Sequence, residues 1–399
     1  MVICLLVISP LSYAADNIYA MYNGADIDFP TVKDSEGKEI TKEVKEYAGT
    51  IDSISKNGYD HFMLKEINEE SEVVKNILNL YINNKIKDIY NIKKYKNIDI
   101  VACGSASFAG QIGKYYIEKY ANIKTDVYYA SEYRYQKSFF TKDTLVILIS
   151  QSGETADTLA ALKLAKENGI NTLAIVNRRD SSIAREADSV IYTEAGIEVA
   201  VATTKASLAQ VLILLLLAFK DNNKETKLLE DLKLLPNLIT KYINEYDYSN
   251  IANILKDKEH IFYLGRGIDY YLSMEGSLKL KEISYIHSEA FQAGELKHGS
   301  ISLIDKDFGV VSVVTDKTIS DKTISNLKEV SARGAKIITI TNIKDNNFAD
   351  YTILVEDYDE ILNPLLVIVP MQMLAYNVAK LRDCDIDKPR NLAKSVTVE

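Results

Sequence analysis

The chain has 399 residues, of which 47% are hydrophobic and 26% are charged. This balance is that of a globular protein, and the length suffices for two or three domains. The net charge is −9 and there is no basic stripe, which argues against a nucleic-acid partner. The three cysteines share no motif spacing, so we expect a reducing compartment, no disulfide framework and no zinc site.

The N-terminal region predicts a short antiparallel β unit. Residues 18–44 alternate in polarity and contain turn signals at Asn23 and Glu36, each followed by glycine. A unit of this size cannot hold a core alone, so we expect it to pack on something else. The apolar segment 1–16 resembles a secretory signal only weakly, because no basic residue precedes it and Pro10 interrupts it. We interpret it as a core strand.

A repeated strand–helix pattern dominates the rest of the chain. Strand candidates lie at 98–104, 125–131, 144–150, 171–177 and 188–194. Continuous apolar strands separated by helices indicate a parallel sheet covered on both faces. The same order recurs between residues 260 and 357, after a charged, helical connector at 220–246. The sequence therefore predicts an α/β fold of two tandem doubly wound parallel-sheet domains.

One strongly apolar stretch, residues 211–219, is too short to span a bilayer. We expect it to continue an amphipathic helix into a core or a subunit interface. The sequence therefore predicts no membrane partner and a cytoplasmic location.

The strand at 144–150 is followed by small or polar residues up to Thr155, and a helical pattern then begins. Ligands bind beyond the carboxyl ends of parallel strands, and a helix N-terminus offers unpaired N–H groups. The hydroxyls of Ser150, Ser152 and Thr155 would complete a site for a phosphate monoester. No Walker sequence is present, which excludes that type of nucleotide loop. The alternative is that Ser152 and Thr155 merely cap the helix.

The second repeat lacks this loop. Its counterpart at 313–320 has no glycine and carries Asp316, whose charge would repel phosphate. We therefore expect one phosphate site, in the first copy, which leaves the second copy to supply chemistry.

A predicted helix at 275–287 places Lys279 and Glu282, three residues apart, on one face. His298 follows in a glycine-bounded loop. A carboxylate, an amine and an imidazole near one another can move protons between adjacent carbons. The alternative is a solvated ion pair on a surface helix.

The segments at 147–163, 265–304 and 387–399 resemble the sugar isomerase (SIS) domain family. They are most similar to the isomerase half of the glutamine–fructose-6-phosphate aminotransferases, over residues 58–399. The resemblance implies four parts: a remnant of glutaminase-domain strands at 1–57, a first, phosphosugar-binding SIS domain at 58–225, a second, catalytic SIS domain at 226–385, and a C-terminal tail closing the active site at 386–399.

The resemblance also implies an enzyme of amino-sugar biosynthesis. It would convert fructose 6-phosphate to glucosamine 6-phosphate with ammonia, or to glucose 6-phosphate without it. No cofactor or metal is expected. The residues implied to bind the phosphate and line the sugar pocket are Ser105, Ser150, Gln151, Ser152, Thr155, Val201 and Thr203. Ala106 stands where the family commonly has a hydroxyl residue, which removes one contact.

The catalytic roles come from the same resemblance. Lys394 would form a Schiff base with the ketone, which acidifies the C1 hydrogens, and Glu282 would carry a proton from C1 to C2. His298 would open the sugar ring, and Lys279 would stabilise the developing negative charge. In the family the histidine comes from the neighbouring subunit, so a homodimer is expected.

Residue 2 is Val, whereas the family's glutaminase nucleophile is a cysteine exposed at the processed N-terminus. We therefore expect no glutamine hydrolysis by this chain. Two alternatives remain, a deglycase-like enzyme acting on phosphorylated ketosamines and a non-catalytic sugar-phosphate sensor. The retained tail favours amination, and intact Glu282, Lys394 and His298 argue against the sensor.

Overall fold

Two parallel five-stranded sheets organise the protein in a computed structural model that describes residues 32–33, 39–40, 55–83, 90–136, 140–344 and 347–398. The first sheet contains β3 Asn97–Ala102, β4 Lys124–Tyr129, β5 Thr144–Ser150, β6 Asn171–Val176 and β7 Ser189–Tyr192. The second contains β8 His260–Gly265, β9 His287–Gln292, β10 Gly309–Val314, β11 Lys336–Thr341 and β12 Tyr351–Leu354.

Helices connect these strands. Those of the first half are α1 Phe62–Ile82, α2 Gly104–Tyr116, α3 Ala130–Tyr133, α4 Ala156–Glu167, α5 Ser182–Glu186 and α6 Lys205–Phe219. Those that follow are α7 Glu225–Leu232, α8 Leu235–Glu245, α9 Tyr248–Leu255, α10 Ile268–Ser284, α11 Ser320–Ser331 and α12 Asn363–Leu381. The predicted helical connector is therefore two helices, α7 and α8.

The two sheets share one topology. Their strand orders are β4-β3-β5-β6-β7 and β9-β8-β10-β11-β12, and every pairing is parallel. In each copy the order reverses between the first and third strands, β3 and β5 or β8 and β10. Such a reversal is the switch point where doubly wound sheets bind ligands. The predicted tandem doubly wound α/β folds are confirmed.

A common core joins the copies. One continuous apolar cluster includes side chains of both sheets and of the helices α1, α2, α6, α10 and α12 between them. Smaller clusters cover the outer faces, against α4 and α5 in the first copy and α11 in the second. The strand β5 is buried along its whole length, as expected for a strand covered on both faces.

Helix α6 confirms the expected burial in a core but not the expected amphipathic character. All 15 residues from Lys205 to Phe219 are buried, so the helix is enclosed on every side rather than amphipathic. Helix α12 is by length and composition apolar enough to cross a membrane, with a mean hydropathy of 1.4. However, 83% of its apolar window is buried inside the fold, and core helices can be equally long and apolar.

The N-terminal prediction is tested only in part. Val32–Lys33 and Glu39–Ile40 form an antiparallel pair, β1 and β2, with Val32 opposite Ile40. This register fits the turn signal at Glu36. The strand and signal interpretations of residues 1–16, and the turn at Asn23, lie outside the described residues.

Candidate active site between the two copies

The loop after β5 folds back on itself at the switch point of the first sheet. The Ser150 hydroxyl accepts a hydrogen bond from the Gly153 N–H at 3.0 Å and lies 3.0 Å from the Thr155 hydroxyl. The Ser152 hydroxyl accepts from the Glu154 N–H at 3.2 Å. Gly153 has φ +66°, and a Cβ there would clash with the Ser181 hydroxyl. Glycine is therefore required for this turn.

The helix-capping alternative is not what the loop does. Thr155 occupies the N-cap position of α4, but its side chain accepts no capping hydrogen bond. Its hydroxyl pairs with that of Ser150 instead. Ser105, which follows β3 on the other side of the switch point, is 7% exposed. Gln151 is half-buried, and its backbone carbonyl accepts a hydrogen bond from the Asn177 N–H at 3.2 Å.

The C-terminal tail lies on this loop. The Ser395 hydroxyl donates to the Ser152 hydroxyl at 3.0 Å. The carbonyl of Val396 accepts from the N–H of Ala156, the first residue of α4, at 3.1 Å. The tail thus uses a helix N-terminal donor of the kind that anions bind, so it is packed against the loop.

Lys394 forms the adjacent contact. Its ammonium donates to a Glu198 carboxylate oxygen at 2.5 Å and to the Ala200 carbonyl at 2.8 Å. Glu198 is fully enclosed and also accepts from the Thr203 hydroxyl at 2.6 Å and from the Thr204 N–H at 2.9 Å. Burial pushes the pKa of Glu198 up, but Lys394 and these donors together bring it below its usual range.

The Lys394 side chain therefore lies between the Glu198 carboxylate and the backbone of Ala200. Val201 lies in the same segment, and its N–H donates to the Asp387 carbonyl at the start of the tail, at 3.0 Å.

A second buried acid supports this segment from α1. Glu66 accepts from the Val199 N–H at 2.5 Å and from the Ala200 N–H at 3.1 Å. Burial and the nearby charge of Glu198 raise the pKa of Glu66 to about 8. Both effects favour the protonated form of Glu66, which reduces the negative charge beside Glu198.

The predicted acid–lysine pair lies on α10. Lys279 donates to Glu282 at 2.5 Å and lies 3.7 Å from a carboxylate oxygen of Glu275. The Lys279 side chain is 1% exposed, so the surface ion-pair alternative is wrong, while Glu282 retains 21% exposure. Burial lowers the pKa of Lys279, but the two carboxylates outweigh it and the net shift is upward. Burial raises the pKa of Glu275 to about 7.

Residues of the first copy act electrostatically on α10. The Ser105 hydroxyl lowers the pKa of Glu275 against the effect of burial. The negative charge of Glu198 raises the pKa of Lys279. Glu198 in turn holds Lys394, whose neighbour Ser395 contacts the loop after β5. Ser105, Glu198, Glu275, Lys279 and Lys394 are called the interdomain cluster below.

His298 ends a 3-10 turn, Glu295–His298, and its side chain is exposed. Within the described part of the chain, no hydrogen bond or ion pair joins it to Lys279 or Glu282. The expected proximity of the histidine to these two residues stays a prediction.

Sequence reasoning missed Glu198, Glu66 and Glu275 as members of the site. Glu198 stands three residues before Val201, so its position beside a predicted pocket segment was the available signal. Glu66 carried no such signal, because its role depends on the packing of α1. Among the described residues, no group of three or more His, Cys, Asp or Glu side chains is arranged to hold a metal ion.

The SIS domain family matches the chain twice, at residues 91–220 and 254–382. Together these matches cover more than half of the chain, which therefore belongs to the SIS domain family and carries two tandem copies.

More specifically, the chain matches the C-terminal isomerase half of the glutamine–fructose-6-phosphate aminotransferases. It is 46% identical over 388 residues to the isomerizing enzyme of that name from Clostridium tetani, which covers 92% of this chain. This chain spans 64% of the length of that relative. It also resembles the solved C-terminal domain of glucosamine-fructose-6-phosphate aminotransferase from Francisella tularensis, at 38% identity and a TM-score of 0.78, covering 84% of this chain and 99% of that one.

A second solved structure is a glucosamine-6-phosphate deaminase from Thermotoga maritima. It is 26% identical with a TM-score of 0.69, and the match covers 84% of this chain and 99% of that chain.

Proposed function

We propose that this chain binds fructose 6-phosphate at the interdomain cluster and converts it to glucosamine 6-phosphate with ammonia, or to glucose 6-phosphate without it. One observation carries the proposal. Consecutive tail residues, Lys394 and Ser395, contact Glu198 and the Ser152 hydroxyl respectively. An amine able to reach a substrate carbon is thereby held next to a loop suited to a phosphate.

In this proposal Ser150, Gln151, Ser152 and Thr155 bind the phosphate. The hydroxyls and the N-terminal N–H groups of α4 supply the donors. The Ala156 N–H is bonded to the Val396 carbonyl, so the tail must shift slightly before a phosphate can use it. Ser105, Val201 and Thr203 line the rest of the pocket, toward α10.

The chemistry uses Lys394 and Glu282 together. The attacking group is the neutral amine of Lys394, which lies 2.5 Å from Glu198. The amine then adds to the C2 carbonyl and water leaves, which forms a Schiff base. Ammonia displaces the lysine amine at C2, after which Glu282 takes a proton from C1 and returns it to C2. Lys279, 2.5 Å from Glu282, stabilises the negative charge that develops on the substrate.

The proposal includes a homodimer. His298 is exposed and therefore available to a neighbouring subunit, in which we propose that it reaches the sugar and opens the ring. We also propose a cytoplasmic location, which fits the free thiols of Cys103 and Cys384.

A product assay tests the reaction. The purified 399-residue chain is incubated with fructose 6-phosphate alone, with ammonium chloride, and with glutamine, and sugar phosphates and glutamate are quantified. We expect glucose 6-phosphate alone, glucosamine 6-phosphate with ammonium, and no glutamate from glutamine. Glutamate release would overturn the expected lack of glutamine hydrolysis. Absence of both sugar products would overturn the proposed enzymatic activity.

Amine removal is the second candidate, because the fold is similar to that of the Thermotoga deaminase. Incubation with glucosamine 6-phosphate measures it directly. Faster ammonium release from glucosamine 6-phosphate than amination of fructose 6-phosphate at equal substrate would favour the deaminating direction. Binding of both sugars without turnover would favour the sensor.

A further inference from the structure

The carboxylate of Asp269 occupies the end of β10, the position that corresponds to the phosphate loop of the first copy. One oxygen accepts from the Thr315 N–H at 2.8 Å and from the Asp316 N–H at 3.2 Å. The other accepts from the Thr315 hydroxyl at 2.5 Å. Asp269 is 2% exposed. Two successive backbone N–H groups and a hydroxyl form an anion-binding nest, and here the anion belongs to the protein.

The donors of this nest are held in place from several sides. The Thr315 carbonyl accepts from the side-chain amides of Asn342 at 3.1 Å and Asn363 at 3.2 Å. These residues follow β11 and begin α12. A Cβ on Gly265 would overlap the backbone of Asp269, so the start of α10 touches the end of β8. The nest is therefore rigid before any ligand is considered.

The group in the nest is charged at neutral pH. Burial raises the pKa of Asp269 to about 6, against the opposing effect of the Thr315 and Asp316 donors. No ion pair to Asp269 exists within the part of the chain that the structure describes. Backbone and hydroxyl dipoles, together with the N-terminus of α10, therefore balance the charge. Asp316 adds a further negative charge nearby and holds Thr318 through its own carboxylate.

We propose that Asp269 is a built-in anionic ligand of the second copy, filling the anion position that the first copy keeps for substrate and thereby positioning α10. The helix carries Glu275, Lys279 and Glu282, so Asp269 is a positioning residue and does not touch the sugar. The vacated nest would accept a small monoanion of carboxylate size. A dianion such as phosphate is disfavoured by Asp316.

Removal of the carboxylate and its replacement by formate test this assignment. Asp269→Ala is compared with Asp321→Ala, which removes an exposed acidic residue from the first turn of α11 in the same copy. We expect Asp269→Ala to lower the melting temperature by about 5 °C or more, since it leaves buried donors without an acceptor. Sodium formate should restore at least about half of that loss, relative to sodium chloride at equal ionic strength.

Asp269→Asn sharpens the test, because it keeps the side-chain volume and one acceptor oxygen but loses the charge and the second acceptor. It should melt between Asp269→Ala and the wild type and show no specific response to formate, since the nest stays filled. Hydrogen exchange of the α10 amides gives a second readout. Exchange should accelerate in Asp269→Ala and slow again with formate.

Equal melting temperatures for Asp269→Ala and Asp321→Ala, or a formate effect no larger than that of chloride, would overturn the assignment. If Asp269→Ala folds only when formate is present, the assignment is supported. If Asp269→Ala does not fold at all, the milder variant Thr315→Val tests the assignment instead, because that substitution removes only the hydroxyl donor. Unchanged melting and unchanged α10 exchange in Thr315→Val would then reject the nest. None of these measurements needs a substrate. A negative result would therefore overturn the role of Asp269 and leave the proposed function untouched.

Discussion

The two copies share one strand order but treat the end of their third strand in opposite ways. After β5, the hydroxyls of Ser150, Ser152 and Thr155 surround a glycine turn, and the tail residue Ser395 contacts Ser152. After β10, the N–H groups of Thr315 and Asp316 donate to Asp269 from the same copy. One switch point of the duplicated fold is thus covered by the C-terminal tail, and the other is filled by a side chain of its own copy.

In the proposed function the two copies have different roles. The loop after β5 binds the phosphate, whereas the second copy holds α10 with its Lys279–Glu282 pair. Helix α10 lies in the apolar layer shared by both sheets, and we propose that its polar residues face the sugar bound by the first copy.

The largest effect should come from the chemistry supplied by the second copy. Glu282→Gln removes the proposed proton carrier, so exchange of the C1 hydrogen of fructose 6-phosphate with solvent should slow by about 10²–10⁴-fold. Exchange is followed by NMR in deuterated water. Lys281→Gln, an exposed neighbour on α10, is the matched control and should exchange at the wild-type rate. Normal exchange in Glu282→Gln would assign the proton transfer to another group.

The tail lysine has its own test on the same scale. Borohydride added with fructose 6-phosphate should reduce the Schiff base and label Lys394, and Lys394→Arg should abolish the labelling, as mapped by peptide mass spectrometry. Lys388→Arg, an exposed tail residue, should leave labelling intact. Label found at a different lysine would show that Lys394 is not the nucleophile.

Affinity should depend on the first copy alone. Ser152→Ala removes one donor to the phosphate and should weaken sugar-phosphate binding by about 1.5–3 kcal/mol, since hydrogen bonds to charged groups are worth that much. Calorimetry with fructose 6-phosphate measures this. Ser320→Ala, at the corresponding helix start in the second copy, should bind as the wild type does. Equal affinities for the wild type and Ser152→Ala would remove this serine from the phosphate site.

Buried carboxylates provide a third contrast. Asp269 has three donors, whereas neither carboxylate oxygen of Glu70 has a hydrogen-bond partner among the residues that the structure describes. Burial raises the pKa of Glu70 from 4.5 to about 8. The folded protein therefore keeps a proton that the unfolded chain loses above pH 4.5. This stabilisation is complete at lower pH and is lost as the pH rises through the folded-state value.

Glu70→Gln should accordingly reduce the fall in the free energy of unfolding between pH 5 and 8 by about 1 kcal/mol per pH unit. Urea unfolding at several pH values measures this slope. Glu72→Gln, exposed on the same helix, should keep the wild-type slope. An unchanged slope in Glu70→Gln would mean that Glu70 is ionised in the folded protein.

The smallest expected effect concerns how the first copy holds the tail. Glu198→Gln removes the charge opposite Lys394 but keeps an acceptor oxygen, so docking of the tail should weaken by about 1 kcal/mol. Limited trypsin digestion should then cut the tail several-fold faster. Glu194→Gln, whose partner is the exposed Arg179, serves as the control. Equal cleavage rates for the wild type and Glu198→Gln would show that the contacts of Ser395 and Val396 hold the tail without the ion pair.

Local patterns predicted much of this protein. The apolar run 144–150 and the small residues after it predicted a strand, a tight loop and a helix, and β5 and α4 confirm them. Repetition of that order predicted two doubly wound domains. The predicted Lys279–Glu282 contact is also seen, because residues three apart on a helix are neighbours. The predicted domain boundaries remain a prediction.

Contacts between distant segments were decided by the tertiary structure. Glu198 and Lys394 are 196 residues apart, and Asp269 and Thr315 are 46 apart. Periodicity reports only which face of an element is apolar. It therefore identified residues 211–219 as a buried helix but called that helix amphipathic, whereas α6 is enclosed on every side. It placed Lys279 on a helix without showing that this side chain is buried. Sequence determined the elements and their order, whereas the packing of both sheets on one helical layer determined which charges meet.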